Sequence, residues 1–435
     1  MTANPETAAD RGKPQAGLLR DRDFTAVLVG QGVSAMGSAV TMVAMPLLVL
    51  LLTGSGLLMG IVGILETAPD LLIGLPAGAF ADRWDRRKVM ILADAGRAVL
   101  TALIPMAAIA GLPAVTVILV VVAPINVLRV LFSAAQNASI PTLAGRDRLS
   151  AGAAYFEAVW AFGYVVGPAL AGLLIAVVGP GPTIALDAFS FAFSAASVLL
   201  VRRSLAPPPP AGTARSMATD VKDGLSYVWS HLPLRLTIAY YAVLSLFMAP
   251  FVPAFTYFLV RDRGMDAGGL GLMISIFSSG MVVGALVATR LKPENLGLRM
   301  VVAAIVTGAG LAVGRSVPSA VLLGLMGLVM GAAWTLVEVS YVTLRLSASP
   351  EALLGRISTV AKTVTVGVQP VGMLAGGLLI DRVGGGTTLA AMGLLTVVVS
   401  IGFWASGSLR NRQSEAVSAE PAGAVAGSTA GEVAL

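Results

Sequence analysis

Twelve runs of about 20 apolar residues follow one another along this chain, and an α-helix needs a run of that length to cross the hydrocarbon core of a bilayer. They fall at 24–52, 57–80, 89–110, 114–138, 151–178, 183–201, 236–260, 268–289, 298–314, 318–344, 355–380 and 387–406. Short turns such as Thr53-Gly54-Ser55-Gly56 and Gly111-Leu112-Pro113 separate several of them. The fold class that follows is an all-α integral membrane protein of twelve transmembrane helices. Only 12% of the residues are charged, against about 25% in soluble proteins. The 49 glycines are compatible with this, because glycine is frequent in membrane helices. With no cysteine, disulfides, thiolate catalysis and cysteine-bound metal are excluded. One histidine, His231, leaves no basis for a histidine-rich metal site or a Ser-His-Asp triad, and its place between runs predicts a solvated side chain. No metal and no cofactor are therefore expected.

The net charge of +6 would point to nucleic acid in a soluble chain, but here most basic residues flank apolar runs. Of the 29, 22 fall at or near the connections on the side that holds both termini, and 4 on the other. The positive-inside rule puts that richer side in the cytoplasm of a multi-pass cell-membrane protein. Residues 1–23 lack a small-residue cleavage site ahead of the first run, which predicts an uncleaved cytoplasmic segment. Residues 407–435, rich in Ala, Gly, Ser and Glu, read as a disordered cytoplasmic tail.

The longest connection, 202–235, contains Pro207 to Pro210 and divides the chain into six-helix bundles at 24–201 and 236–406. The halves echo each other: Val166-Gly167-Pro168-Ala169-Leu170-Ala171-Gly172-Leu173-Leu174 has a counterpart beginning Val368-Gln369-Pro370-Val371-Gly372. Paired bundles that rock about a site near the midplane are the architecture of a transporter.

Gly78-Ala79-Phe80-Ala81-Asp82-Arg83-Trp84-Asp85-Arg86-Arg87 lies in the cytoplasmic turn after the second run. It resembles the signature loop of the major facilitator superfamily, a glycine followed by Asp-Arg and paired basic residues. Asp82 suits the positive N-terminus of a neighbouring helix, and Arg83, Arg86 and Arg87 suit carboxylates or backbone carbonyls. Gly163, Gly167, Pro168 and Gly172 are similar to the superfamily's antiporter motif, although Ala154 stands where a further glycine is usual. Small residues there allow close helix approach, and proline removes a backbone donor. Phe132-Ser133-Ala134-Ala135-Gln136-Asn137, Asp187-Ala188-Phe189-Ser190-Phe191 and Leu354-Gly355-Arg356-Ile357 resemble the branch containing enterobactin exporters and macrolide efflux proteins. The resemblance implies proton-driven export of a small molecule and leaves that molecule unidentified.

An ionisable residue inside a span costs at least ~2.5 kcal/mol at the bilayer centre, so each is a candidate for function. Glu66 and Asp70 are four apart on one helix face, and two carboxylates this close do not both ionise readily in a low-dielectric site. Arg129 with Glu157, and Glu338 with Lys362, lie at matching depths on consecutive spans and are expected to pair. Arg129 also resembles the superfamily's fourth-span arginine associated with proton coupling. These six residues are the proton-coupling candidates. Asp94 and Arg97, one turn apart, are expected to neutralise each other, while Asp187 is read as a capping or packing residue near the outer end of its span. Met36, Met42, Met45, Met273, Met281, Met326 and Met330 are read as mostly lipid-facing or packing residues, with an adaptable pocket for apolar ligands as the lesser reading for some of them.

No Gly-x-x-x-x-Gly-Lys sequence is present, so the chain carries no P-loop ATPase motif. The reading is a secondary active, proton-coupled exporter of amphipathic small molecules such as antibiotics or siderophores, acting as a monomer on a small-molecule substrate in a lipid bilayer, with no nucleic acid. An importer or facilitator of a small nutrient is the alternative within transport, and a membrane-embedded enzyme or sensor the alternative outside it.

Overall fold

The computed structural model describes residues 17–81, 83–206, 217–292 and 294–405. Asp82, the remainder of the N-terminal segment, part of the 202–235 connection and the tail lie outside these residues. The helices in chain order are α1 (Arg22–Thr53), α2 (Gly56–Ala81), α3 (Arg86–Ile109), α4 (Ala114–Ala144), α5 (Leu149–Val178), α6 (Pro180–Leu199), α7 (Met217–Ser230), α8 (Leu232–Met248), α9 (Phe251–Tyr257), α10 (Ala267–Arg290), α11 (Leu296–Gly314), α12 (Ala320–Ser347), α13 (Leu354–Gly367), α14 (Gln369–Val383) and α15 (Gly385–Ala405). Among the described residues no strand occurs, and 12 helical stretches are long and apolar enough to cross a membrane. Every expected apolar run falls on one of them.

Prolines and glycines explain where the helices break. Pro250 has no N–H for the ladder, so the seventh span, Leu232–Asp262, is built from α8 and α9 with a π-helical turn at Phe258–Asp262. Pro370 divides the eleventh span in the same way at Val368, between α13 and α14. Gly54 closes α1 at φ 67° and Gly384 closes α14 at φ 81°, backbone angles that L side chains rarely adopt. The 14-residue α7 lies inside the connection expected to be a linker. It packs on α13 through the Asp223–Arg356 ion pair at 3.0 Å and the close approach of Gly224 to the Arg356 carbonyl.

The chain forms two compact units. One comprises Met1–Met42, Ile73–Gly167 and Gly181–Pro209. Its core joins Phe24, Phe132, Leu143 and Phe156, with Phe24 and Phe156 meeting edge-on at 5.6 Å between centroids. The other comprises Val43–Leu72, Pro168–Pro180 and Pro210–Leu435. Its core gathers Leu234, Tyr240, Leu244, Met300 and Val337. There α11 lies close on α15, since a Cβ on Gly308 would stand only 2.7 Å from the Gly393 carbonyl oxygen. Thus α1, α2 and α5 each begin in one unit and end in the other. Large apolar side chains on the outer faces are open, Ile109 at 88% and Val177 at 83% exposure, which suits contact with lipid rather than water.

Candidate transport site

The residues around the Asp-Arg loop anchor helix ends. Asp82 itself lies outside the described residues, Gly78 is in the last turns of α2, and Arg83 is exposed. Asp85, not singled out from the sequence, caps α3 by accepting the backbone N–H groups of Arg87 (3.0 Å) and Lys88 (3.4 Å). Arg86 is buried and donates to the Ala138 carbonyl at 2.8 Å. Arg87 donates to the Val198 and Leu199 carbonyls at 3.4 and 2.8 Å, placing a cation on the negative end of α6.

The glycines of the antiporter-type motif form packing seams. A Cβ on Gly163 would stand 3.2 Å from the Ala35 carbonyl oxygen and one on Gly167 2.5 Å from Ala39 Cβ, so this stretch of α5 lies directly on α1. Gly172 continues the stripe in the second unit, where an added Cβ would meet the Ala267 carbonyl oxygen at 2.7 Å, at the start of α10. Pro168 sits within an unbroken α5.

The charged residues of the first unit converge more than the sequence foretold. Arg97 Nη1 lies 3.0 Å from Asp94 Oδ1, the expected local pair, and the guanidinium stacks over Phe191 of α6 at 3.7 Å. Asp187 lies well inside α6, not at its end. It is 2% exposed and accepts Thr41 Oγ1 at 2.7 Å and Ser190 Oγ at 2.9 Å. Nearby, Gln31 Nε2 donates to Ser194 Oγ at 3.1 Å. Arg129 is half-buried and donates from Nε to Asn126 Oδ1 at 2.9 Å, whereas Glu157 is exposed. Among the described residues no ion pair joins Glu157 to Arg129.

In the second unit the expected pairing of Glu338 with Lys362 is replaced by another. Lys362 Nζ approaches Asp70 Oδ1 of α2 at 3.9 Å, and Glu338 Oε1 accepts Tyr241 Oη at 3.4 Å. The cause is packing: α12 lies on α10, α11 and α8, while α13 lies on α7 and α8, so matching depth did not make these helices neighbours. Tyr241 stacks on Tyr341 at 3.9 Å and runs nearly parallel to Trp334 at 6.3 Å, giving Glu338 an aromatic surround. Glu66 is half-buried on α2. His231 is half-buried and stacked on Tyr227 at 5.6 Å, not simply solvated. The sequence reading missed Asp381. From the end of α14 it accepts the Gly56 N–H, the Leu57 N–H at 3.1 Å and Ser55 Oγ at 3.0 Å, and so caps the N-terminus of α2. Beneath this cap Gly56 and Gly377 bring the two backbones together, a Cβ on Gly377 standing 2.7 Å from the Gly56 carbonyl oxygen. A narrow, largely apolar cleft in the same unit is lined by Phe251, Phe255, Phe258, Phe277, Met273, Met326 and Met330, with Arg315 among its walls.

A family model described as a transmembrane secretion effector matches residues 15–426. The chain belongs to that family, within the major facilitator superfamily. It is a membrane transporter of the efflux kind, not an enzyme. It is 29% identical to the multidrug efflux pump Tap of Mycolicibacterium fortuitum, over 84% of this chain and 91% of that one. It is 24% identical to macrolide efflux protein A of Streptococcus pyogenes, over 87% and 94%. Among solved structures, the nucleoside transporter NupG superposes with a TM-score of 0.71 at 14% identity, covering 88% of this chain and 98% of that one. An inward-facing bacterial homologue of the lysosomal transporter Spinster gives 0.72 at 12% identity, covering 91% and 98%. These similarities of structure establish the transporter fold. The aromatic and methionine side chains that line the cleft come from α9, the π-helical turn after it, α10 and α12.

Proposed function

We propose that this exporter moves amphipathic small molecules, antibiotics among them, out of the cell in exchange for protons, by alternating access. The observation that carries the reading is the retention of carboxylates inside apolar spans of a chain that has no P-loop motif. Such groups are costly in a bilayer, and a carboxylate that takes up and releases a proton converts an ion gradient into a change of helix packing. Glu66, Asp70, Glu157 and Glu338 are the acids on this route, with Arg129 and Lys362 as basic groups that respond to them. Both termini face the cytoplasm in this reading, in keeping with the 22 to 4 distribution of basic residues. The aromatic surround of Glu338 and the Phe- and Met-lined cleft favour apolar, ring-bearing substrates over hydrophilic nutrients. The names of the Tap and macrolide efflux relatives support antibiotics as substrates. No resident cofactor is required, and the protein works as a monomer.

The test is efflux of ethidium and of erythromycin from energised cells expressing the protein, with and without a protonophore. The expected result is uphill efflux that collapses with the proton gradient. Efflux undiminished by the protonophore overturns the coupling. Glu66→Gln is expected to lose uphill efflux while substrate still equilibrates down its own gradient.

A further inference from the structure

We propose that Asp187 is a proton-binding site of the first compact unit, taking up one proton per cycle; the assignment rests on the proton-exchange reading above. Asp94, Arg97 and Asp187 are 0%, 6% and 2% exposed, so three ionisable groups share one dry region on α3 and α6. Arg97 is committed to Asp94 at 3.0 Å and stacked on Phe191, and that ion pair is neutral as a unit. Asp187 is therefore a second carboxylate acting on the same guanidinium, with no direct ion pair of its own among the described residues. The charges acting on it are Arg97 and Asp94 of α3, whereas Arg129 of α4 acts on Arg97. Beyond Arg22 and Asp23 in its first turn, α1 carries no ionisable residue. A carboxylate held in an apolar interior outside an ion pair is costly enough to favour its neutral form, and a single proton takes the Asp187 carboxyl from charge −1 to 0. Arg97 Nε has no hydrogen-bond acceptor among the described residues, so the cluster is not a closed structural network.

The groups around Asp187 suit both of its states. A hydroxyl donates and accepts, and the side-chain oxygens of Asp187 face two hydroxyls, Thr41 Oγ1 at 2.7 Å and Ser190 Oγ at 2.9 Å. Other helical threonines donate to the carbonyl four residues back, as Thr307 does to Ala303, Thr365 to Ala361 and Thr396 to Met392. Thr41 instead gives its hydrogen to Asp187. When a proton forms an O–H bond at Oδ2, that O–H donates to Thr41 Oγ1, and the Thr41 hydrogen turns to the Gly37 carbonyl four residues back. Release reverses both moves; the carboxyl goes from charge −1 to 0 and back, and no other bond is made or broken. Thr41 is in the last turn of α1 assigned to this unit, which ends at Met42.

The test is infrared difference spectroscopy of the full chain in liposomes, stepping pH across the range of transport and following the protonated-carboxyl stretch. Asp187→Asn is expected to remove one pH-dependent carboxyl band. Thr41→Val is expected to keep that band at a shifted frequency, because the proton remains and its hydrogen bond is lost. A spectrum unchanged by Asp187→Asn overturns the proposal; should that variant not fold, a band unshifted in Thr41→Val overturns it. Transport separates the two readings. Protonophore-insensitive efflux by the wild type removes the exchange reading, whereas proton-driven efflux retained by Asp187→Asn removes only this assignment.

Discussion

The cap that Asp381 places on α2 predicts a measurable shift in how often the seam between α2 and α14 opens. Replacing Asp381 by alanine removes a carboxylate that accepts the Gly56 N–H, the Leu57 N–H and the Ser55 hydroxyl. Loss of a helix N-cap costs about 0.5–2 kcal/mol, and loss of a negative charge at a helix N-terminus about 0.3–1 kcal/mol. Together these give roughly 1–3 kcal/mol, which corresponds to about a 5–150-fold change in an equilibrium between two states. The two glycines and Ile380 still pack after the substitution, so the seam is weakened, not abolished. Because the chain has no cysteine, Met373→Cys supplies a single reporter, in a side chain that lies against Gly63 within the seam. Its labelling by a membrane-impermeant maleimide, added from the side opposite the termini, should quicken by that factor in the Asp381→Ala background. Asp381→Asn, which keeps one acceptor without the charge, should fall between. Equal labelling rates in all three backgrounds at equal expression would refute the argument that this carboxylate holds the seam shut.

Three further outcomes follow from the geometry. Arg97→Met strands the buried Asp94 and should cost roughly 3–5 kcal/mol, with partial recovery when Asp94→Leu is added; thermal melting in detergent reads both. Asp70 and Lys362 should show a coupling of no more than about 1 kcal/mol that fades with salt, because the lysine is largely exposed, and a double-mutant cycle between Glu338 and Lys362 should show none. Gly172→Ala should destabilise by about 1–3 kcal/mol, since its Cβ would meet the Ala267 carbonyl, a backbone atom that cannot swing aside; Gly74→Ala, with open space around it, should melt at or above the wild-type temperature.

Span number was legible because the bilayer imposes a length on each helix. Pro250 and Pro370 were visible too, but only the structure shows that they interrupt spans which proline leaves unbroken elsewhere, as Pro168 does in α5. The 14 residues of α7 escaped because they are too short and too polar for a span and sit in a stretch dominated by its prolines. Asp381 escaped for a different reason: it follows the apolar run of its span, where a charge ordinarily marks a helix end in water, and nothing local says that it caps a helix more than 300 residues away.

The ion pairs separate what a sequence can specify from what it cannot. Depth in the membrane follows from counting residues along a helix, and by depth alone Lys362 matched Glu338. Which face a side chain presents, and to which helix, depends on packing among elements far apart in the chain. Asp94 and Arg97 were read correctly because three residues on one helix fix both depth and direction. Lys362 meets Asp70 instead because α12 packs mainly on α10 and α11, whereas α13 packs mainly on α7 and α8. Asp187 packs, as expected, but well inside α6 and not at its end. Its depth looked peripheral, yet the helix turns it onto Thr41 of α1, with Arg97 of α3 close enough to act on its charge. A carboxylate placed by three helices at once cannot be inferred from any one of them, and that convergence is what makes Asp187 a stronger candidate for holding a proton than its position in the sequence allowed.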